Sequence, residues 1–582
     1  MIISIIFNLY YMNQLLEKKH TGATFTPIEL ADYLSNKLIE NVEDKSYFNV
    51  LDPACGDGEL LISIAKHLNK VGIDFSLSGF DSNKSYLEEA KDRIINNLGY
   101  NPNLFNQDFL NAVNISDAQE SLYLFNDQRT QGISNKFDLI IANPPYVRTQ
   151  ILGTNQAQAL AKKFNLKGRV DLYYPFLIAM TESLKPEGII GVITSNRYLS
   201  TKSGESVRKY LSENYNILEV IDLGDSKLFN AAVLPAIFIG KKKKNYDKST
   251  ANFIKLYEDQ NGYNGNIQDS DSIYSVLNSE KTGYFKVDDK KFKKTVGVLK
   301  YDVGSKDIWA LLTSNEANWI SQIDHNSESK VGDHFKVRVG VKTTADKVFI
   351  SDDWEDLGDN KPEEELLKPL ISQENIEAWS ATTNKNLKIL YTHYFKNEEK
   401  RVIELEDYPK AKKYFNKHKE RLAGRNYVIN AGRNWYEIWV PQNPNYWKYP
   451  KLVFPDISTT PRFYFDNEGK IVNGNCYWIV GRLEKDVEKL LLIQGVANSN
   501  LMTKYHDLAF NNKLYSGRRR YFSQYVEKYP LPNLASESSK QIIEIVKKLK
   551  SKPADSNTQE LKLSLEEKVA ESFGVEPVNL LD

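Results

Sequence analysis

Between Phe48 and Gly240 short β-rich apolar runs alternate with stretches of helical period, and no other feature narrows the choice of fold as far. The runs fall at residues 49–51, 78–80, 138–142, 189–194, 219–223 and 236–240, and helical period marks 60–68, 86–98 and 172–184. Strand, helix and returning strand are the unit of a doubly wound α/β domain, which the alternation predicts here. In such sheets ligands sit outside the carboxyl ends of the strands, so the residues that follow each run are the first to read for function.

The rest of the chain bounds the problem. At 582 residues it exceeds a single domain, and 41% hydrophobic with 26% charged residues excludes disordered, collagen-like and disulfide-scaffold classes. Lys plus Arg and Asp plus Glu number 76 each, so a polyanion-binding surface must come from uneven placement of the cations. Cys55 and Cys476 are too few for a disulfide framework or structural zinc, which points to a reducing cytoplasm. The 7 histidines show no HxxxH pair, so no metal site is expected. Residues 1–11 are apolar but fall short of the ~20 needed to span a bilayer, and no membrane association is expected. That stretch reads equally as a structured strand or as an over-extended start ahead of Met12.

The run Lys241-Lys242-Lys243-Lys244 breaks the alternation, and the βαβ pattern is not expected to return. Residues 1–20 read as an extension, 21–304 as the first domain, 305–535 as a second, and 536–582 as a helical tail. The second domain is rich in Tyr and Trp, with strand-like pieces at 336–341, 388–391 and 451–454 and a helix near 487–502, a mixed α+β pattern. In the tail an amphipathic helix is expected over 541–549 and a linker over 550–559.

Four turns carry chemistry. The first run leads into Asp52-Pro53-Ala54-Cys55-Gly56-Asp57-Gly58, whose glycines let backbone approach a ligand but lack the spacing of a dinucleotide fingerprint. The second run ends at Asp81, where a carboxylate can accept from both hydroxyls of a ribose. Asp108 followed by Phe109 pairs an acceptor for an exocyclic amine with an apolar ring. Last comes Asn143-Pro144-Pro145-Tyr146. Its prolines stiffen the turn and remove donors, leaving the Asn143 amide oxygen and the Pro144 carbonyl as fixed acceptors beside an aromatic face. Two acceptors drawing on a planar amine favour tetrahedral nitrogen and support positive charge as it attacks a methyl group, with no metal and no strong base.

These motifs in this order, with Thr24-Phe25-Thr26-Pro27 ahead of them, resemble the N6-adenine DNA methyltransferases of the TaqI-like, gamma-order class. The resemblance continues through Asp171-Leu172-Tyr173 and Leu228-Phe229-Asn230 and covers most of residues 20–535. It implies a Rossmann-like methyltransferase sheet followed by a mixed α+β target-recognition domain. Thr26, Asp52, Ala54, Gly56 and Gly58 would hold the methionine part of S-adenosylmethionine, Asp81 its ribose, and Asp108 with Phe109 its adenine. Asn143 and Pro144, with Pro145 and Tyr146, would form the catalytic turn, and Tyr146 and Phe229 would stack on a flipped adenine.

In the second half, Gly340-Val341-Lys342-Thr343-Thr344 resembles the opening turn of the family's specificity domain, although a Gly often stands where this chain has Thr344. Basic-aromatic mixtures at 412–415, 425–427, 433–436 and 518–522 suit phosphates and bases, and Arg518, Arg519 and Arg520 are the expected DNA contacts. The partners implied are double-stranded DNA and a separately encoded restriction endonuclease, with the chain acting as a monomer. Two rivals stand beside this. One is a bifunctional enzyme that also cleaves, for which Asp456 and Glu468-Gly469-Lys470 offer a nuclease-like pattern, although 466–469 reads as a hairpin turn. The other is a DNA-binding module with a silent methyltransferase fold.

Overall fold

A computed structural model describes residues 25–42, 45–113, 133–146, 154–164, 166, 171–226, 228, 234–244, 249–259, 262–263, 265–381, 386–510, 514–552 and 557–579. Residues 1–20, Thr24 and Phe229 lie outside them. The chain forms two compact units, one running to Ser314 together with Leu514–Ser516, the other comprising Asn315–Lys513 and Gly517–Asp582.

The first unit opens with α1 (Ile28–Ile39) and then alternates β1 (Tyr47–Asp52), α2 (Glu59–Lys70), β2 (Asp74–Asp81), α3 (Lys84–Leu98), β3 (Asn103–Asn106) and β4 (Phe137–Ala142). After α4 (Tyr173–Ser183) come β5 (Leu184–Ser195), β6 (Tyr215–Asp222) and β7 (Pro235–Lys242). These strands lie in the order β3-β2-β1-β4-β5-β7-β6, parallel from β3 to β5, with β7 antiparallel to both neighbours. Both faces are covered. Val50, Leu139, Ile141 and Ile237 pack into one apolar layer, and Leu51, Ile140, Ala142 and Phe238 into the other. Such double burial explains why β4 reads as a continuous apolar run from Leu139 to Ala142. On α2, Leu60, Leu61, Ile64, Ala65 and Leu68 recur at helical spacing and bury one stripe.

The sheet does not end at the lysine run, and a strand–helix–strand unit returns beyond it, contrary to expectation, since Ile267–Asp269 and Gly283–Val287 pair in parallel with the helix Ile273–Asn278 between them. It continues through β8 (Thr250–Glu258), β9 (Ile267–Asp269), β10 (Gly283–Val287) and β11 (Lys290–Lys300) in the order β6-β8-β11-β10-β9. Lysines masked these strands because several are used as structural donors. Lys242 Nζ bonds the Thr181 and Leu184 carbonyls at 2.6 Å each, and fully buried Lys294 reaches the Val276 and Leu277 carbonyls at 2.8 and 2.9 Å. The packing division also falls later than residue 305, since Trp309 and Leu311 are buried in the core beneath the sheet.

In the second unit one antiparallel sheet runs Arg338–Val339, Cys476–Val480, Lys451–Pro455, Tyr464–Asp466, and a mixed sheet runs Ile350–Ser351, Lys388–Leu390, Leu367–Ile371, Ile471–Val472, its last pair parallel. Trp447, Trp478, Phe415 and Ile389 belong to their shared core. The expected hairpin at 466–469 is a passage between sheets, since Tyr464–Asp466 and Ile471–Val472 pair with different strands. The expected helix at 487–502 is two helices, Asp486–Ala497 and Asn500–Phe510, broken where the Asn498 amide bonds both the N–H and the C=O of Phe463 at 2.9 Å. The expected amphipathic helix near 541–549 lies within Glu537–Ser551, which with Gln559–Ser572 buries Ile542, Val546, Leu565 and Val569. Thr344 has φ +60, the left-handed conformation in which glycine is favoured. No helix among the described residues is long and apolar enough to cross a membrane.

Candidate active site and DNA-reading unit

The carboxyl ends of β1 to β4 converge on one cavity. It is lined by Pro53, Ala54 and Gly56 after β1, Asp81, Ser82 and Asn83 after β2, Gln107, Asp108 and Phe109 after β3, and Asn143 and Pro145 after β4, with Phe25, Tyr86 and Phe176 closing it. The strand order turns between β1 and β4, the switch point at which doubly wound sheets open a crevice.

The glycine turn is built from its own hydrogen bonds. Asp52 is buried, and its carboxylate accepts the Ala54 N–H at 3.1 Å. Burial pushes its pKa up to about 8, against the Ala54 bond and with help from Asp81 and Asp57. Gly56 has φ +51 and donates its N–H to Asp81 Oδ2 at 3.1 Å, so the first turn is tied to the end of β2. Gly58 has φ +82, and a Cβ there would lie 3.1 Å from Ala90 on α3, so its role is to let two helices close together. Arg93 of α3 pairs with Asp57 and Glu59 and clamps the start of α2.

Asp81 accepts a second N–H, from Asn83 at 2.8 Å, and burial raises its pKa against these bonds. Asp108 caps a short helical turn by accepting the Leu110 N–H at 2.9 Å. Phe109 packs between Phe80 and Phe176, at ring separations of 5.4 and 6.0 Å. A carboxylate, a capping aspartate, close-approach glycines and an apolar floor on one cavity fit S-adenosylmethionine.

At the end of β4 the Asn143 amide is held at both ends. Its Nδ2 donates to Thr26 Oγ1 at 3.0 Å, and its Oδ1 accepts the Tyr146 hydroxyl at 2.6 Å. Burial raises the Tyr146 pKa, which keeps that hydroxyl a donor. The structure therefore gathers Ala54, Gly56, Asp81, Asp108, Phe109, Asn143 and Pro145 on the cavity, whereas Thr26, Asp52, Gly58, Pro144 and Tyr146 do not line it. Asp52 and Gly58 shape the turn from behind, and Thr26 faces Asn143. Sequence reading missed Phe25, Tyr86 and Phe176; Phe25, inside the quoted motif, was the one with a signal.

The chain is 46% identical over 576 residues to the type II methyltransferase M.BanIII of Aneurinibacillus aneurinilyticus, covering 97% of this chain and 98% of that relative. It belongs to the type II restriction-modification DNA methyltransferases. Residues 59–229 match the Eco57I restriction-modification methylase family and 368–531 the TaqI-like C-terminal specificity domain. M.BstVI of Geobacillus stearothermophilus is 26% identical over 552 residues, covering 88% of this chain and 89% of the relative. The fold is also that of the type IIL restriction-modification enzyme MmeI, solved in complex with DNA, at TM-score 0.57 and 15% identity over 100% of this chain and 76% of that one. As a member of this family, the methyltransferase takes its methyl group from S-adenosylmethionine and acts on DNA, with its specificity domain in the second unit.

In that unit the expected arginine cluster splits. Arg518 is exposed, but Arg519 is only 6% exposed and binds Asp507 through two bonds of 2.7 and 2.8 Å and the Thr459 carbonyl at 2.6 Å. Alternation along the strand pairing Arg519–Arg520 with Ile457–Ser458 turns Arg519 inward. Its guanidinium is committed to holding the fold and is unsuited to meeting a phosphate. Tyr414, Phe415, Arg425 and Tyr436 from the other basic-aromatic mixtures are buried too. Exposed cations lie on the outer side of the helices Pro409–Lys417 and Lys419–Ala423, with Lys410, Lys413, Lys417 and Arg421 along it and Glu420 among them, and Tyr427 is exposed too. Of the nuclease-like residues, Asp456 lies 3.8 Å from Arg520, Glu468 pairs with Lys470 of the same pattern at 2.6 Å, and intervening Asp466 is buried on Lys451.

Proposed function

We propose that this methyltransferase modifies N6 of adenine within a specific duplex sequence, after turning the base out of the helix. The observation that carries the reading is the Asn143 amide, whose oxygen already serves as an acceptor at 2.6 Å on the rim of the cavity lined by Asp81 and Asp108. An exocyclic amine is a poor nucleophile because its lone pair is delocalised into the ring. S-adenosylmethionine supplies a methyl group made electrophilic by its sulfonium sulfur. Asp81 accepts hydrogen bonds from the ribose hydroxyls, and Asp108 with Phe109 selects the cofactor's adenine. Asn143 Oδ1 and the Pro144 carbonyl draw on the two N–H bonds of the target amine, localise its lone pair and support the positive charge that develops on nitrogen. Pro145 keeps the turn stiff. Tyr146 stacks on one face of the flipped base and Phe229 on the other, a presentation required because the reacting atom is otherwise inside the duplex.

The second unit positions the duplex, with Lys410, Lys413, Lys417 and Arg421 on phosphates; from the arginine cluster only Arg518 and Arg520 remain as contacts. Asp456 on Arg520 and Asp466 on Lys451 favour a chain that methylates without cutting. In this reading it is a cytoplasmic monomer beside a separately encoded endonuclease. Methylation-aware sequencing of DNA from cells expressing the protein tests the reading. The expected result is N6-methyladenine at one recurring sequence. A methyl group on cytosine N4, or unmodified DNA, overturns it.

A further inference from the structure

Thr26 belongs to a motif whose resemblance assigns it to the cofactor, yet its side chain looks elsewhere. It is 9% exposed, it does not line the cavity, and its Oγ1 takes the Asn143 Nδ2 proton at 3.0 Å. Its neighbour Phe25 does line the cavity, where its ring meets Tyr86 edge-on at 5.2 Å, and successive side chains of an extended segment point to opposite sides. Thr26 is also anchored, since α1 begins two residues later and Pro27 accepts the N–H groups of Leu30 and Ala31 at 3.1 and 3.0 Å.

We infer that Thr26 is a positioning residue for the target amine, acting through the orientation of the Asn143 amide. This rests on the reading in which Asn143 grips that amine. An amide has an acceptor end and a donor end, and only the acceptor end can receive an amine. In the resting site hydroxyls at both ends satisfy it, Tyr146 at Oδ1 and Thr26 at Nδ2. A hydroxyl can donate or accept, so this pair alone tolerates either orientation of the amide. The balance changes when the target amine takes the place of the Tyr146 hydroxyl. The amine brings only donors, so a flipped amide would set N–H against N–H, and the productive orientation leaves Nδ2 needing an acceptor on the side where the buried Thr26 hydroxyl lies. Thr26 Oγ1 is that acceptor. Tyr146 is the exchangeable partner of Asn143 and Thr26 the permanent one.

The test uses the full-length enzyme with Thr26→Val, which keeps shape and removes the acceptor, and Thr26→Ser, which restores it. Single-turnover methylation at saturating duplex should fall by about 10- to 100-fold in Thr26→Val and recover most of that loss in Thr26→Ser, the scale of one acceptor lost to a buried donor. S-adenosylmethionine affinity, measured by calorimetry on the same samples, should stay within about twofold, because no cofactor contact is removed. The binding isotherm also establishes that the variant is folded. If Thr26→Val proves unstable, Thr26→Ala measured against Thr26→Ser carries the same comparison. Weakened cofactor binding with an unchanged transfer rate overturns the inference and returns Thr26 to the cofactor, and so does a variant unchanged in both. Asn143→Ala measured alongside separates the two levels. If it turns over normally, the reading of Asn143 fails; if it is inactive while Thr26→Val is normal, only the role of Thr26 fails.

Discussion

Replacing Lys451 by Met should open the specificity unit from its centre. Lys451 and Asp466 face each other across neighbouring strands, both side chains fully buried, with Nζ 2.7 Å from Asp466 Oδ2 and 2.8 Å from the Trp447 carbonyl. Lys451 starts the strand Lys451–Pro455, which lies between Tyr464–Asp466 and Cys476–Val480. The methionine fits the volume but strands a carboxylate whose remaining partner on that oxygen is the Lys470 N–H at 3.3 Å. Breaking a buried pair in this way costs ~3–5 kcal/mol, whereas replacing both partners by apolar residues is neutral or stabilising by ~1–4 kcal/mol. Lys451→Met should therefore raise the opening constant of this strand by ~10²- to 10⁴-fold, and Lys451→Met with Asp466→Leu should restore it. Hydrogen exchange of peptides covering residues 451–455, read by mass spectrometry, reports this local opening. Duplex affinity should fall with it, while affinity for S-adenosylmethionine, whose cavity lies in the other unit, should hold. A single variant that costs less than ~1 kcal/mol, or a double variant no better than the single, would refute the argument that burial makes this pair decisive.

Asn143→Ala should lower transfer by ~10²-fold or more with cofactor affinity retained, as single-turnover assays and calorimetry will show. Asp81→Asn should weaken S-adenosylmethionine binding by about 10-fold or more, because a charged acceptor becomes a neutral one; unchanged affinity would remove Asp81 from the cofactor site. Changing Lys410, Lys413, Lys417 and Arg421 together to Gln should reduce the slope of log affinity against log salt by about 0.9 per contact, whereas Arg519→Gln, which abandons Asp507, should instead lower thermal stability. Glu566 accepts the Asn500 N–H with both oxygens, at 2.9 and 3.0 Å, and burial raises its pKa from 4.5 to about 7. A raised carboxyl adds stability that is complete below pH 4.5 and lost as pH rises through about 7, so Glu566→Gln should flatten the decline in stability across that window.

The turns after β1 to β4 were legible because each combines residues that only an irregular, ligand-facing backbone needs: Asp52 with two glycines, Asp81 ending a strand, Asn143 before two prolines. The bond between Thr26 and Asn143 was not legible, because the partners lie 117 residues apart and proximity in a motif says nothing about which way a side chain points. Arg519 was misread for a related reason. A run of three arginines looks like a patch, but an extended chain sends neighbours to opposite sides, and Asp507 offers no signal in sequence. The strands beyond β7 were hidden by lysines such as Lys242 and Lys294 that serve as hydrogen-bond donors inside the fold. Lys451 carried no warning either, being a single cation at the head of an apolar run.

The turning of strand order between β1 and β4 assigns the two sides of the cavity to separate stretches of chain. Everything read as holding the methyl donor, from Ala54 to Phe109, follows strands on one flank, while the turn read as gripping the acceptor follows the first strand across the seam. The loop at 143–146 could thus be rewritten for a differently shaped nucleophile while the donor stays in register with Asp81, because the bonds that tie the turn after β1 to the end of β2, from the Gly56 N–H to Asp81 and from the Cys55 N–H to the Phe80 carbonyl, lie on the donor's side. Choice of acceptor atom, supply of methyl group and choice of DNA sequence are then three editable texts in one polypeptide, and a lineage can revise one without recomposing the others.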